Sequence, residues 1–115
     1  MNKILLHIEG LAVFALSMYV YGQNEFSWVW FFLLLLVPDI SMLGYVVNRR
    51  FGAMLYNLFH TYTLAILIVL CGLVLSSSHL LGISMIWTAH IGMDRMLGYG
   101  LKYPASFKDT HLNRV

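Results

Sequence analysis

The sequence predicts an all-α fold, a four-helix transmembrane bundle with both termini cytoplasmic, and three observations carry that expectation. Of 115 residues, 60% are hydrophobic and only 10% charged, where a soluble domain carries about 25% charged residues; the mean hydropathy is +0.76. The apolar runs use up nearly the whole chain and are separated by short polar breaks, which leaves one integral membrane domain over residues 1–115 and no soluble domain. The bases also segregate: Lys3, Arg49, Arg50, Lys102, Lys108 and Arg114 fall on one side of the bundle, and the other two turns hold none. The net charge of +2 forms no basic stripe interleaved with aromatics, so no nucleic acid partner is expected. The only cysteine, Cys71, excludes an intramolecular disulfide and a CxxC redox pair.

The first helix is expected over about residues 4–21, just long enough to cross hydrocarbon of about 30 Å. Glu9 interrupts its apolar run and no small-residue cleavage site follows, so the segment is expected to stay in the mature chain. After Gly22-Gln23-Asn24-Glu25, Ser27 can cap a second helix over 27–48, with Trp28 and Trp30 at the interface. Inside it Pro38 has no N–H and should leave the Leu34 carbonyl unpartnered beside Asp39. Asn48-Arg49-Arg50 makes a tight turn into a third helix over 51–75, which carries Tyr56, Asn57 and His60. Ser76 to His79 forms the next break, and the fourth helix runs over 80–97. A tail over 98–115 follows.

Within these runs a few polar side chains fall at one depth. Counting about 1.5 Å per helical residue from the nearest base puts Glu9, Asp39, Asn57, His60, His90 and Asp94 roughly 9 to 18 Å from the cytoplasmic face. A charge at that depth costs several kcal/mol unless it is paired, ligated or neutralised, so these groups should face one another. His90 and Asp94, four apart, share one helix face and can grip the same ion or proton. Three readings compete. Polar residues can act as hydrogen-bonding glue between helices. Alternatively, His60, His90, Asp94 and Asp39 can ligate a divalent transition metal, zinc first, since two imidazoles and carboxylates from facing helices are the usual supply. Glu9, Asp94 and Arg95 are then the candidate catalytic residues, with Glu9 the general base on metal-bound water and Arg95 open to an anionic headgroup. Asn57 and Tyr56, with Lys102 and His111 from the tail, are candidates to support the ligands or to contact substrate. In the third reading the same acids and histidines form a metal-free acid/base site or proton relay coupled to transport. No HExxH or ExxH repeat is present to decide among them.

Glu9-Gly10, Pro38-Asp39 with Gly44-Tyr45, Tyr56-Asn57 with His60, and above all His90 through Asp94-Arg95, Gly98-Tyr99-Gly100-Leu101-Lys102, Phe107 and Thr110-His111-Leu112 resemble the bacterial integral membrane family catalogued as domain of unknown function 4260. The resemblance spans nearly the whole chain and implies a protein of the bacterial cytoplasmic membrane. A looser likeness runs to membrane metal-dependent hydrolases, which also place Pro-Asp near a helix end and His-x-x-x-Asp on a later helix; it implies a hydrolase-like enzyme and no substrate. If the site is an enzyme's, its place in the membrane makes a lipid or isoprenoid-like substrate the expected one. Membrane lipid is the expected surrounding partner, and a homo-oligomer is expected because so short a chain has little interior. If the Thr110-His111-Leu112 pattern matters, Asp109 and His111 fold under the bundle and close its cytoplasmic mouth.

Overall fold

One helix is enclosed by the rest. In the computed structural model, which describes residues 1–24, 26–104 and 108–115, α5 (Ser78–Leu97) packs against both α1 (Asn2–Gln23) and α4 (Tyr62–Val74). Between Leu80 and Met96 only Ile83 is exposed. Small residues make the α1–α5 contact close: a Cβ on Gly92 would lie 2.7 Å from the Phe14 nitrogen, and one on Gly10 would lie 2.7 Å from the Gly92 carbonyl oxygen. Close backbone approach of this kind is how membrane helices gain packing without a hydrophobic drive between them.

The described residues are helical apart from turns and an isolated antiparallel bridge between Lys102 and Thr110. Two helical segments, Asn2–Gln23 and Trp28–Val46, are long and apolar enough to cross a membrane, and a third span results if the pair Arg49–His60 and Tyr62–Val74 counts as one. Although α5 is 20 residues long, it does not reach that apolarity. It carries Ser84, Thr88, His90, Asp94 and Arg95, and its neighbours cover these residues.

Two of the four expected helices are interrupted. The second is not one α-helix over 27–48 but α2 (Trp28–Leu34) followed by a 3-10 helix (Val37–Val46). Pro38 explains where the change starts, since its missing N–H ends the α-helical ladder. Side-chain size explains why the tighter helix persists for ten residues. At three residues per turn the rows eclipse, and the row Pro38, Ser41, Gly44 is buried while the row Ile40, Leu43, Val46 is exposed. The small buried row lets α3 (Arg49–His60) lie close, for a Cβ on Gly44 would be 3.1 Å from the Gly52 Cα.

The third helix, expected unbroken over 51–75, breaks at Thr61, where φ −93° and ψ 142° are extended, and its halves differ in direction by 44°. A break strands the last carbonyls of α3. Two side chains of α5 take them: Trp87 Nε1 donates to Phe59 O at 2.8 Å, and Arg95 Nη2 donates to His60 O at 3.1 Å. Asn48 caps α3 by accepting from the Phe51 N–H at 2.7 Å, which moves Arg49 and Arg50 from the turn into the helix.

From the Ser78 end of α5 up to Ala89, Tyr21, Phe26, Trp28 and Phe31 cluster with ring centroids 5.1–5.2 Å apart, and Tyr21, Phe26 and Phe31 share a core with Ile86 and Ala89. The tail folds back at the other end. Gly98, at φ +99°, closes α5 in the left-handed region that glycine adopts without strain. Asn57 then clamps residue 102, its Nδ2 donating to Lys102 O at 2.8 Å and its Oδ1 accepting the Lys102 N–H at 2.5 Å. A short helix α6 (His111–Arg114) buries Leu112 completely. Phe107 lies outside the described residues.

Candidate metal centre

Three elements deliver four side chains to one point. The 3-10 helix supplies Asp39 one residue past Pro38, α3 supplies His60 at its last turn, and α5 supplies His90 and Asp94 from one face. One ligand atom from each of the four lies within 4.8 Å of every other. His60 Nε2 is 3.1 Å from Asp39 Oδ1, 3.1 Å from His90 Nε2 and 3.5 Å from Asp94 Oδ2. His90 Nε2 is 3.2 Å from Asp39 Oδ1 and 3.3 Å from Asp94 Oδ2. Exposure is uneven: the His60, His90 and Asp94 side chains are 1%, 0% and 10% exposed, while Asp39 is 30% exposed.

The surroundings orient these groups. His60 Nδ1 is 2.8 Å from the Tyr56 carbonyl, which can only accept, so the ring proton belongs on Nδ1 and the Nε2 lone pair faces the cluster. Tyr56 stacks on His60 at 3.7 Å and 6° between planes, and its hydroxyl is 3.5 Å from Asp94 Oδ2. Lys102 Nζ lies 4.7 Å from the Tyr56 ring centroid on a side chain that is buried. Burial lowers the Lys102 ammonium from the ordinary lysine range, while the Asp94 and Asp39 carboxylates act in the opposite sense. The tail therefore delivers a cation within electrostatic reach of both acids. Among the described residues His90 Nδ1 has no hydrogen-bond partner.

The other expected site residues sit elsewhere. Glu9 is exposed on α1 and is not among the four clustered groups. The buried face of α1 is Gly10, Ser17 and Tyr21, about 100° round the helix from residue 9. Arg95 is buried on the His60 and Tyr99 carbonyls, with its guanidinium 5.9 Å from the Tyr62 ring centroid. Asn57 spends its amide on the Lys102 backbone. His111 Nδ1 accepts the Leu101 N–H at 2.8 Å, so His111 fastens the tail to itself. Trp87, which nothing in the sequence marked as special, supports the break beside His60.

Chemically, the arrangement offers two imidazole nitrogens and two carboxylate oxygens, a donor set compatible with a divalent metal ion. The family model described as Domain of unknown function (DUF4260) matches residues 3–115. No curated protein and no solved structure matches the chain.

Proposed function

The chain belongs to the DUF4260 family, and from its four converging side chains we propose that it is a membrane-embedded metal protein with hydrolase-like activity on a lipid. The spacing of the donor atoms carries this reading. A tetrahedral ion with bonds of about 2.0–2.1 Å holds its ligands about 3.3–3.4 Å apart; five of the six separations are 3.1–3.5 Å, and the sixth, between the two carboxylates, is within 4.8 Å. Charge supports it. Two carboxylates, two neutral imidazoles and a divalent ion sum to zero, which suits a segment apolar enough to lie in lipid. The same residues without an ion are harder to neutralise, since Nε2 atoms 3.1 Å apart leave no room for a proton on each. The Tyr56 carbonyl holding His60 Nδ1 is the kind of outer contact that fixes a ligand imidazole.

If Asp39, the exposed one of the four, gave up its place on the ion, the open position would take a water whose pKa is lowered toward 7, and the ion would polarise an ester or phosphoester. The freed Asp39 carboxylate would accept that water's proton, and Lys102 would offset negative charge on the substrate. In this reading both termini are cytoplasmic, α5 is a fourth pass enclosed by the others, and zinc is the first candidate ion.

One observation favours a second reading, a proton-coupled transport or acid/base site without metal. With its Nδ1 unpartnered, His90 can keep its proton on Nε2 and donate to Asp39. Elemental analysis of detergent-purified protein separates the two. The metal reading expects a stoichiometric transition metal that His90→Ala and Asp94→Ala remove and His79→Ala, in a remote turn, retains. Zinc at about 100 times its dissociation constant should stabilise the folded protein by about 2.7 kcal/mol. Metal-free protein whose melting is indifferent to zinc overturns the reading and leaves the proton site.

A further inference from the structure

The cluster is covered on the tail side and by the packing of α5, and it reaches the surface at Asp39. On the side of the tail, Lys102, Thr110 and Leu112 are buried and Asn57 holds the chain across Tyr56 and His60. His90 and Asp94 are covered by the packing of α5. Of the four, only Asp39 reaches the surface, and it does so toward one end of a shallow, open groove of about 620 Å³ along the 3-10 helix. The three-residue repeat builds the groove. Leu36 and Met42 stand in register with Asp39 on one ridge, and Ile40, Leu43 and Val46 form the next, with exposures from 38% to 84%. Asp39 is the one charged group in this lining.

We propose that this groove is a lateral portal through which the acyl chain of a membrane phospholipid reaches the centre, placing the lipid's ester or phosphate end at Asp39. The inference rests on the metal reading above and adds the route and the class of substrate. The segment Trp28–Val46 is apolar enough to cross a membrane, so what faces the groove there is hydrocarbon. An open apolar groove with a single carboxylate toward one end matches an amphiphile, tail along the ridges toward Val46 and polar group at the acid. A water-soluble substrate would have to come past the folded tail.

The test uses the full chain loaded with zinc in vesicles of phosphatidylcholine and phosphatidylglycerol. Zinc should leave several-fold faster to 1,10-phenanthroline, which partitions into the bilayer, than to EDTA, which stays in water. Leu43→Trp or Val46→Trp, which fill the groove from exposed positions, should slow phenanthroline without changing the starting zinc content. Leu67→Trp, on the exposed face of α4, should leave the rate alone. A phosphatidylcholine carrying benzophenone on its acyl chain should label residues 36–46 in preference to residues 66–70, and Leu43→Trp should abolish the preference. Equal stripping by the two chelators, or labelling no stronger than on α4, overturns the portal while zinc stoichiometry still upholds the metal centre. Protein that holds no zinc overturns the metal reading instead, and the labelling comparison then decides the portal alone.

Discussion

The two ends of α5 are built by different rules. Near Ser78 the helix is gripped by rings: Tyr21, Phe26, Trp28 and Phe31 pack edge-on and tilted around Ile86. From Trp87, at its middle, to Leu97 it is gripped by polar atoms whose partners are specific, with Arg95 on the His60 carbonyl, Trp87 on the Phe59 carbonyl and His90 and Asp94 facing Asp39 and His60. Aromatic packing tolerates exchange of one apolar shape for another, whereas a buried polar network fails when one member is lost. Stability and chemistry should therefore separate along one helix.

Phe31→Ala is the strongest way to break that separation. Phe31 is 1% exposed at the centre of the ring cluster, and truncating a buried phenylalanine costs about 3–5 kcal/mol. Thermal melting in detergent should fall accordingly, while the zinc held per folded chain stays that of the unaltered protein. If Phe31→Ala lowers zinc as much as His90→Ala is expected to, the two ends are one cooperative unit.

The same contrast explains what was legible beforehand. Asp39, His60, His90 and Asp94 stood out because each is a polar residue in an apolar run, and the cost of leaving such a group in lipid forces it toward partners. Direction around a helix was not recoverable from the order of residues alone. Glu9 stands one residue before the buried Gly10, Ser17, Tyr21 face and so points about 100° away from it. No Gly or Pro lies between Gly52 and Gly72, so the break at Thr61 had no punctuation to announce it; its carbonyls are satisfied by Trp87 and Arg95, from a helix 26 and 34 positions later, and only tertiary structure reveals that. The 3-10 helix did leave a mark, the small residues Pro38, Ser41 and Gly44 at intervals of three, which a search for α-helical periodicity passes over.

A smaller effect sharpens the comparison inside the polar end. Asn57→Ala removes both bonds to the Lys102 backbone, which by the usual scale for part-buried hydrogen bonds costs about 1–3 kcal/mol. Because Asn57 hydrogen-bonds the tail and, among the described residues, none of the four clustered groups, limited proteolysis should cut the 98–115 segment faster while zinc content holds. Loss of zinc in this variant would make the tail part of the centre, with Lys102 as the connection.

The smallest effect is the pH dependence of the tail itself, carried by His111. Burial, followed by the charge of Arg95, holds the His111 imidazole below its ordinary value. Its Nδ1 lone pair accepts the Leu101 N–H at 2.8 Å, and a Cβ on Gly100 would come within 2.7 Å of that same nitrogen, so the ring is tightly seated. The released tail, with its ordinary histidine, then binds a proton more readily than the docked tail does. Docking is accordingly at full strength above the free imidazole range, near 6.5 and upward, and weakens as pH falls through that range toward the lower docked value. Hydrogen exchange of the Leu101 and His111 amides should accelerate relative to that of α5 as pH is lowered from about 7.5 to 5, after correction for intrinsic rates. His111→Gln, which keeps a side-chain acceptor and cannot titrate, should flatten the dependence; an unchanged slope in that variant would move the sensitivity from His111 to the four-residue cluster.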